Sequence, residues 1–329
     1  MQIIPYCYTL VKYAHPTLDT PLEKVYNKCN YFREPADMKI TDILQNNTLS
    51  LSFEVFPPKT DSAFASVEQA IDQIAALHPP FMSVTYGAGG GTSQYTLEIA
   101  KHVKATYGVP MLAHLTCVSS RKETVAKQIQ LLREAGIQNV MALRGDIPAH
   151  LSDADRSTWD YRHAVDLVRE LRESGADLCI GGACYPEVHP ESRNQKDDLR
   201  YLAEKVDAGC DFLTTQMFFD NNLFYNFMYK AREAGITVPV LPGIMPITNA
   251  TQVERAIKLS GSHMPRRFLS LVDKFGNDPA AMKQAGIAYA TDQIIDLFAN
   301  NVTHVHVYSM NKPDVAAAIL ANLSDIIGK

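Results

Sequence analysis

The sequence lacks any long apolar run and any excess of positive charge. In 329 residues with a formal net charge of −5, the most apolar stretch, residues 238–247, is interrupted by three prolines. A membrane-spanning helix needs roughly 18 or more consecutive apolar residues, and nucleic-acid-binding domains usually carry a basic surplus. We therefore expect a cytoplasmic protein that binds neither a membrane nor a nucleic acid.

Cysteine is scarce, and its spacing fits no common metal or redox motif. No two of the cysteines are separated as in CxxC, and three of them lie in apolar, strand-like runs; the six are Cys7, Cys29, Cys117, Cys179, Cys184 and Cys210. A zinc site needs clustered Cys and His ligands. We expect buried, reduced thiols and no metal.

The common glycine-rich nucleotide motifs are also missing. Residues 87–92 read GAGGGT, which matches neither the Walker A loop nor the GxGxxG fingerprint of dinucleotide-binding folds. This absence counts against an open, doubly wound sheet.

The first 37 residues differ from the rest of the chain. They show no helical or strand periodicity and lack the continuous apolar core of a signal peptide. Met38 then opens the segment MKITDIL, which is typical of a normal start leading into a short helix. We predict that 1–37 is a loosely packed extension, or the product of a mis-assigned start, and that the catalytic domain spans 38–329.

From residue 50 onward, one pattern recurs: a short apolar run, a turn, and a longer stretch with helical periodicity. The predicted strands are 51–56, 81–86, 111–117, 139–143, 178–184, 212–217, 238–244 and 304–308. The predicted helices are 63–77, 94–106, 122–135, 161–173, 195–208, 223–234, 252–259 and 315–323. Glycine is the usual left-handed stop after a helix, and it follows five of them, at Gly108, Gly136, Gly175, Gly209 and Gly235.

This alternation predicts a parallel sheet covered by helices on both faces. Eight such units without a dinucleotide fingerprint favour a single closed α/β barrel, the (β/α)₈ or TIM barrel. The interval between the last two strands is the longest and holds extra predicted helices at 265–274 and 279–300. We interpret it as an insertion within one domain.

Barrel enzymes carry their chemistry at the carboxyl ends of the strands, and the sharpest signal there is Glu54. It is a charged residue inside an otherwise apolar strand. Burial would raise the pKa of its carboxyl towards a range useful for general acid catalysis. The alternative is a carboxylate that forms a salt bridge with a neighbouring strand or lies at the strand mouth.

The fourth strand ends in Arg144-Gly145-Asp146, a cation and an anion joined by a flexible residue. Arg144 could hold a phosphate, and Asp146 could stabilise a developing cation. The alternative is a local ion pair that closes a loop.

Histidines on two strands are weaker signals. His114 is either a site residue or an ordinary satisfied barrel histidine. His304 and His306 point to one face of the eighth strand. Metal-dependent barrel hydrolases usually carry such a pair on the first strand, so we expect no metal here.

Eight motifs, each at or near a strand end, resemble the methylenetetrahydrofolate reductase family. They are FEVFPP at 53–58, VTYG at 84–87, AHLTC at 113–117, ALRGD at 142–146, YPEVHP at 185–190, QMFFD at 216–220, PGIMP at 242–246 and HVYSMN at 306–311. The resemblance implies a flavoenzyme of one-carbon metabolism. FAD would carry hydride from NADH or NADPH to 5,10-methylenetetrahydrofolate in a ping-pong scheme, giving 5-methyltetrahydrofolate.

Carried over residue by residue, the resemblance implies that Glu54 and Asp146 are catalytic. The implied FAD-binding residues are Thr85, Tyr86, His114, Leu143, Arg144, Gly145, Asp146, Ala183, Tyr185, His189, Asp198 and Lys205. The implied substrate-binding residues are Glu54, Asp146, Gln216, Gln252 and Lys312.

Two positions depart from the family pattern. Bacterial relatives often have phenylalanine in the helix after the seventh strand, where this chain has Ala256. The eighth-strand motif usually ends in Asn-Arg, where this chain has Asn311-Lys312. Lysine attracts the carboxylates of folate but cannot grip one as a bidentate fork.

Other hypotheses stay open at this point. The chain could be another FAD barrel oxidoreductase, such as a proline dehydrogenase-like enzyme, or a flavin- or folate-binding subunit that needs a partner for turnover. The expected partners are small molecules, namely reduced folate and a nicotinamide nucleotide. Apolar barrel helices such as 316–323 also predict a homo-oligomer.

Overall fold

The structure is a computed structural model that describes residues 35–58, 60–86, 93–147 and 158–328. Within these residues, nine parallel strands form one sheet in the order β7-β6-β5-β4-β3-β2-β1-β9-β8. The strands are β1 Ser50–Val55, β2 Met82–Val84, β3 Met111–Thr116, β4 Asn139–Leu143, β5 Cys179–Cys184, β6 Phe212–Thr215, β7 Val240–Leu241, β8 Gly243–Ile244 and β9 His304–Tyr308. All eight predicted strands are present, and the seventh is divided into β7 and β8.

The barrel closes where the seventh strand breaks at Pro242. β7 pairs with β6, and β8 pairs with β9. The Pro242 carbonyl accepts a hydrogen bond from the His306 amide at 2.9 Å, and the Gly243 amide donates to Thr215 Oγ1 at 2.9 Å. A Cβ atom at Gly243 would overlap the Tyr308 ring and the Thr215 carbonyl, so glycine allows the two edges to approach. The predicted (β/α)₈ barrel is confirmed.

Twelve α-helices surround the strands in the described part of the chain. They are α1 Ile40–Leu44, α2 Phe64–Ala75, α3 Ser93–Tyr107, α4 Lys122–Glu134, α5 Ala164–Glu173, α6 Gln195–Asp207, α7 Asn221–Glu233, α8 Thr251–Ser260, α9 Arg266–Phe275, α10 Pro279–Ala299, α11 Pro313–Asn322 and α12 Ser324–Ile327. All five glycines predicted to end helices have positive φ.

Side chains alternate along each strand between the helices and the barrel interior. On β1, Leu51, Phe53 and Val55 belong to the core between the strands and the surrounding helices. The lower end of the barrel interior, at the amino ends of the strands, is mostly apolar and is covered by α1; its buried apolar members are Ile40, Ile43, Phe81, Leu112, Met141, Cys179, Phe212 and Leu241. The Asn139 side chain fixes this cover, because its Oδ1 accepts from the Ile40 amide at 2.9 Å. The opposite end of the barrel is left for polar groups.

The predicted insertion forms α9 and α10 between β8 and β9. A Cβ atom at Gly286 would lie 1.8 Å from the Ile247 carbonyl oxygen, so glycine lets α10 lie directly against the segment that follows β8. The Tyr289 hydroxyl donates to the Phe219 carbonyl at 2.6 Å. These contacts fix the insertion beside the carboxyl ends of β6 and β8.

The predicted N-terminal extension falls largely outside the described residues, as do Cys7, Cys29, Lys59 and residues 87–92. Asp37 is described and forms an ion pair with Lys104 at 2.6 Å, so the last residue of the predicted extension contacts the barrel.

The four described cysteines are buried and free, as predicted. Burial raises the pKa of Cys117 and of Cys184 to about 12, and that of Cys210 to about 11.

Across the described ranges, none of the helices combines the length and the apolar character needed to span a membrane.

Candidate active site

Glu54 lies at the upper end of the barrel interior and is 8% exposed. The register places it opposite Ser83 of β2 and Tyr308 of β9. Its Oε2 lies 3.4 Å from Ser83 Oγ and 3.5 Å from His114 Nε2. Desolvation raises the pKa of the carboxyl to about 8, although the Ser83 hydroxyl opposes the shift. Glu54 is therefore protonated at neutral pH and suited to donate a proton.

The protonation state of His114 excludes a salt bridge between His114 and Glu54. Burial lowers the pKa of His114 to about 4, so the imidazole is neutral where Glu54 holds its proton. No ion pair forms between two neutral groups. The short separation is a contact between a carboxylic acid and an uncharged ring.

Two interior polar atoms are buried without a hydrogen-bond partner among the described residues. They are His114 Nε2 and Thr214 Oγ1. Buried polar atoms in folded proteins are normally satisfied. Both atoms lie on strands whose carboxyl ends form the upper opening, His114 on β3 and Thr214 on β6.

Arg144 forms an ion pair, but not with the partner that the local sequence suggested. Its two terminal nitrogens each lie 2.7 Å from an oxygen of Glu191, in a bidentate arrangement. This pair joins the end of β4 to the loop between β5 and α6, and it raises the pKa of Arg144. Gly145 has a φ of 89°, and the exposed Asp146 follows it.

The loop after β5 gathers several predicted site residues. The Tyr185 and His189 rings meet edge to face with centroids 4.6 Å apart. Asp198 accepts from the His189 amide at 3.3 Å and from Ser192 Oγ at 2.8 Å. Burial raises the pKa of Tyr185 to about 12, with opposing charge effects from nearby Arg144 and Asp146. These groups therefore lie close together, across the ends of β4 and β5.

The same loop contains a strained residue. Val188 has a φ of 132°, which is rare for a β-branched side chain. Its neighbours hold it in place, because Glu187 Oε2 accepts from the His263 amide at 2.7 Å and the His189 amide donates to Asp198. Such strain persists where surrounding contacts over-determine a conformation, and it is concentrated at functional sites.

Lys205 and Ala183 meet at the end of β5, where the Lys205 ammonium donates to the Ala183 carbonyl. The neighbouring Gly181 and Gly182 allow close packing of side chains. A Cβ atom at Gly181 would overlap the Phe212 ring, and one at Gly182 would meet Cys210 and Lys205. The space beside these two glycines is therefore filled by side chains of the protein itself.

The predicted substrate-binding residues Gln216, Gln252 and Lys312 follow β6, β8 and β9, respectively. Gln252 Oε1 accepts from the Thr248 and Asn249 amides at 2.9 and 3.1 Å. Lys312 Nζ lies 2.7 Å from Thr248 Oγ1, and burial lowers the pKa of Lys312. Gln252 and Lys312 thus meet at Thr248, while Gln216 follows β6 with its Oε1 accepting from the next amide at 3.0 Å.

The remaining predicted positions also flank the opening. Leu143 ends β4. The Thr85 amide donates to the Val55 carbonyl at 3.1 Å, and Thr96 Oγ1 donates to the Thr85 carbonyl at 2.9 Å. Tyr86 is half-buried against the main core. Within the described residues, no group of three or more His, Cys, Asp or Glu side chains is arranged to hold a metal.

A family model for methylenetetrahydrofolate reductase matches residues 39–324 of the chain. The chain belongs to this family. The 5,10-methylenetetrahydrofolate reductase of Pectobacterium carotovorum is 34% identical over 291 residues, which cover 88% of this chain and 95% of the relative. That of Escherichia coli is 34% identical over 275 residues, covering 84% and 90% respectively.

The plant relatives in this methylenetetrahydrofolate reductase family are longer. Methylenetetrahydrofolate reductase (NADH) 1 of Arabidopsis thaliana is 34% identical over 295 residues, which cover 87% of this chain and 50% of the relative. The chain therefore spans about half the length of these proteins. Among solved structures, an uncharacterised Clostridium thermocellum protein that binds two copies of 5-methyl-5,6,7,8-tetrahydrofolic acid shares the fold. Its TM-score is 0.62 at 14% identity, covering 88% of this chain and 98% of that one.

The departure from the methylenetetrahydrofolate reductase pattern at Ala256 lies in a buried cluster. Ala256 is 2% exposed and packs with residues that include Phe219, Val253 and Phe268. The small side chain belongs to the core that joins α8 to the insertion.

Sequence reasoning missed the polar residues that contact the predicted ones. Ser52, Ser83, Thr248 and Glu191 each make a hydrogen bond or an ion pair with a residue of the site. His306 was noted in the eighth-strand motif and weighed as a metal ligand, but no other role was predicted for it. Ser52 and Ser83 are uncharged polar residues in apolar strands, and they lack the charge that identified Glu54. Glu191 is 47 residues from Arg144, and no local pattern links them.

Proposed function

We propose that this chain reduces 5,10-methylenetetrahydrofolate to 5-methyltetrahydrofolate, with FAD as its cofactor and NADH or NADPH as electron donor. Membership of the methylenetetrahydrofolate reductase family supports the reaction type. The observation that carries the proposal is Glu54, a buried carboxylic acid at the mouth of the barrel with a pKa raised to about 8.

The reaction needs a proton before it needs a hydride. The methylene group bridges two nitrogens of the folate, and protonation of one nitrogen opens the bridge to a reactive iminium cation. A neutral Glu54 donates that proton, and general acids of this kind typically contribute about 10²–10⁴-fold to rate. The acid is protonated at neutral pH because its pKa lies near 8, and hydride addition to the cation completes the reduction.

Asp146 has the complementary role in this proposal. It is exposed just beyond the end of β4, next to Gly145. An anion at the mouth stabilises the cation that forms when the bridge opens. The two carboxyl groups thus differ in function because their burial differs.

The residues at the mouth fit a flavin nucleotide, since His114 Nε2 and Thr214 Oγ1 are buried polar atoms without partners and Arg144 supplies a fixed cation. When bound, FAD would accept hydride from the nicotinamide and then pass it to the folate. The residues that would hold it are Thr85, Tyr86, His114, Leu143, Arg144, Gly145, Asp146, Ala183, Tyr185, His189, Asp198 and Lys205.

Folate would be held by Gln216, Gln252 and Lys312. Gln252 and Lys312 are joined through Thr248, which is buried, so the amide and the ammonium are oriented together. The Lys312 ammonium attracts the carboxylates of the folate tail, with less directional grip than an arginine would give.

The test is the visible spectrum of the purified chain, followed by anaerobic addition of 5-methyltetrahydrofolate. A yellow protein that bleaches supports both cofactor and substrate. A yellow protein that stays oxidised refutes the folate assignment and favours another flavin barrel oxidoreductase, unless an added partner protein restores bleaching. A colourless protein that cannot be reconstituted with FAD refutes the cofactor.

We further propose that the catalytic domain begins near Met38 and that the protein is a cytoplasmic homo-oligomer. The family match from residue 39 supports the boundary. The helix used to predict self-association gives no support, because its apolar residues Ala316 and Ile319, with Leu323 just beyond it, are buried against the barrel. Sedimentation equilibrium of the purified chain tests the oligomer.

A further inference from the structure

The barrel interior contains two serine–histidine pairs, stacked one above the other on β1 and β9. The strand register places Ser50 opposite His304 and Ser52 opposite His306. In each pair the serine Oγ lies 2.7 Å from the histidine Nδ1. The two pairs differ in the partner of the other ring nitrogen, Nε2, and this partner determines which nitrogen carries the hydrogen.

The lower pair is fixed in one protonation pattern. His304 Nε2 lies 2.8 Å from the Asn46 carbonyl oxygen. A carbonyl oxygen can only accept, so Nε2 must carry the hydrogen. His304 Nδ1 is then the acceptor, and Ser50 donates to it.

The upper pair has hydroxyl groups on both sides of the ring. His306 Nε2 lies 3.0 Å from Ser83 Oγ, and Ser83 Oγ lies 3.4 Å from Glu54 Oε2. Ser52 Oγ also lies 3.4 Å from the Val305 carbonyl. Because a hydroxyl can donate or accept, this chain of contacts can be satisfied in either direction.

The direction is set by the charge of Glu54. When Glu54 is ionised, Ser83 donates to it, His306 Nε2–H donates to Ser83, and Ser52 donates to Nδ1. When Glu54 is protonated, it donates to Ser83, Ser83 donates to Nε2, Nδ1–H donates to Ser52, and Ser52 donates to the Val305 carbonyl. Every group has a partner in both arrangements.

We propose that His306 is a positioning residue for Glu54, and that its single ring proton changes nitrogen when Glu54 gains or loses a proton. Glu54 takes up one proton, both serines keep theirs and rotate, and His306 exchanges its Nε2 proton for one on Nδ1 through solvent. Among Glu54, the two serines and His306, only Glu54 changes its charge. The catalytic meaning rests on the proposed function, in which Glu54 must be stable in both protonation states.

The surroundings keep His306 neutral and fixed. Phe81 stacks on its ring with centroids 5.6 Å apart and an interplanar angle of 10°, which holds the ring plane. Burial lowers the pKa of His306 to about 3, with a further contribution from His114. The titratable groups that face this series of hydrogen bonds are His114 on β3 and Tyr308 on β9. Burial raises the pKa of Tyr308.

The experiment is nuclear magnetic resonance of the purified protein labelled with ¹⁵N-histidine and ¹³C-carboxyl glutamate, between about pH 6 and pH 10. His306→Gln and Glu54→Gln assign the two signals. We expect His306 to be protonated at Nε2 at high pH and at Nδ1 at low pH, with the same midpoint as the Glu54 carboxyl. His304 is the internal control and should stay protonated at Nε2 throughout.

Glu54→Gln should remove the pH dependence of the His306 tautomer, and Ser83→Ala should uncouple it from the Glu54 midpoint. The His304 signals report whether each variant is folded. A His306 ring that keeps one tautomer while Glu54 titrates, or that takes up a second proton, overturns the proposal. Failure of 5-methyltetrahydrofolate to bleach the flavin would instead refute the proposed function, whatever the tautomer does.

Discussion

Replacing Glu54 with glutamine tests the burial of this acid through folding stability, independently of turnover. The carboxyl has an ordinary pKa of 4.5 and a folded pKa of about 8. Between these values the folded protein holds a proton that the unfolded chain releases. The stability linked to Glu54 is therefore fully present below about pH 4.5 and is lost as the pH rises through about 8.

The size of the effect follows from the proton count. One proton held only by the folded state costs about 1.4 kcal/mol of stability for each unit of rising pH. From about pH 5.5 to 7.5, the free energy of unfolding should fall by about 3 kcal/mol because of Glu54, as an upper bound, since water entry weakens desolvation. Glutamine cannot ionise, so Glu54→Gln should lack this part of the slope.

The assay is urea unfolding of both proteins at several pH values, followed by circular dichroism with FAD in excess throughout. The difference in unfolding free energy, variant minus parent, should grow by about 3 kcal/mol over this range. Glu98→Gln is the matched control for the substitution itself, because Glu98 is exposed on α3. If the Glu54 and Glu98 variants follow parallel pH slopes, Glu54 is not a desolvated acid and the reasoning fails.

Three further predictions concern the cofactor, the fold and the substrate. Arg144→Lys loses the bidentate contact with the β5–α6 loop and should weaken FAD binding by about 1.5–3 kcal/mol in fluorescence titrations. Arg200→Lys on the outer surface should leave FAD binding unchanged. Equal effects of the two substitutions would contradict a role for the bidentate Arg144–Glu191 contact. Gly286→Ala should destabilise by about 1–3 kcal/mol or more in urea, because its Cβ meets a backbone oxygen. The loss should exceed that of Gly175→Ala, where the Cβ meets open space and only the positive φ opposes alanine. Lys312→Met should raise the KM for methylenetetrahydrofolate by about tenfold without changing flavin reduction by the nicotinamide, so a change in both half-reactions would refute a folate-specific contact.

The strands and helices could be predicted because their signals are local. Parallel strands buried on both faces are apolar runs, and the helices between them end at glycines whose positive φ suits few other residues. The break in the seventh strand was not predicted, although Pro242 is visible in the sequence. A proline interrupts a strand only where a neighbouring strand would accept a hydrogen bond from the N–H that proline lacks. That depends on the strand pairing, and only the sheet shows that β7 pairs with β6 while β8 pairs with β9.

The same division applies to the site. Glu54 could be found by itself, because a charge in an apolar strand is costly wherever the strand lies. Its partners could not, because a serine in a strand has no cost until the register shows what faces it. The pairing of Arg144 with Glu191 likewise joins two loops that meet only when β4 and β5 align.

What the sequence determined by itself is therefore the barrel, the end of the barrel where polar side chains gather, and the position of a buried carboxyl group at Glu54. The tertiary structure decided the protonation state of that acid and the hydrogen bonds around it. The physical reason is that apolar periodicity acts over a few neighbouring residues. Desolvation and hydrogen-bond direction depend instead on atoms from strands that are far apart in the chain and adjacent only in the closed barrel.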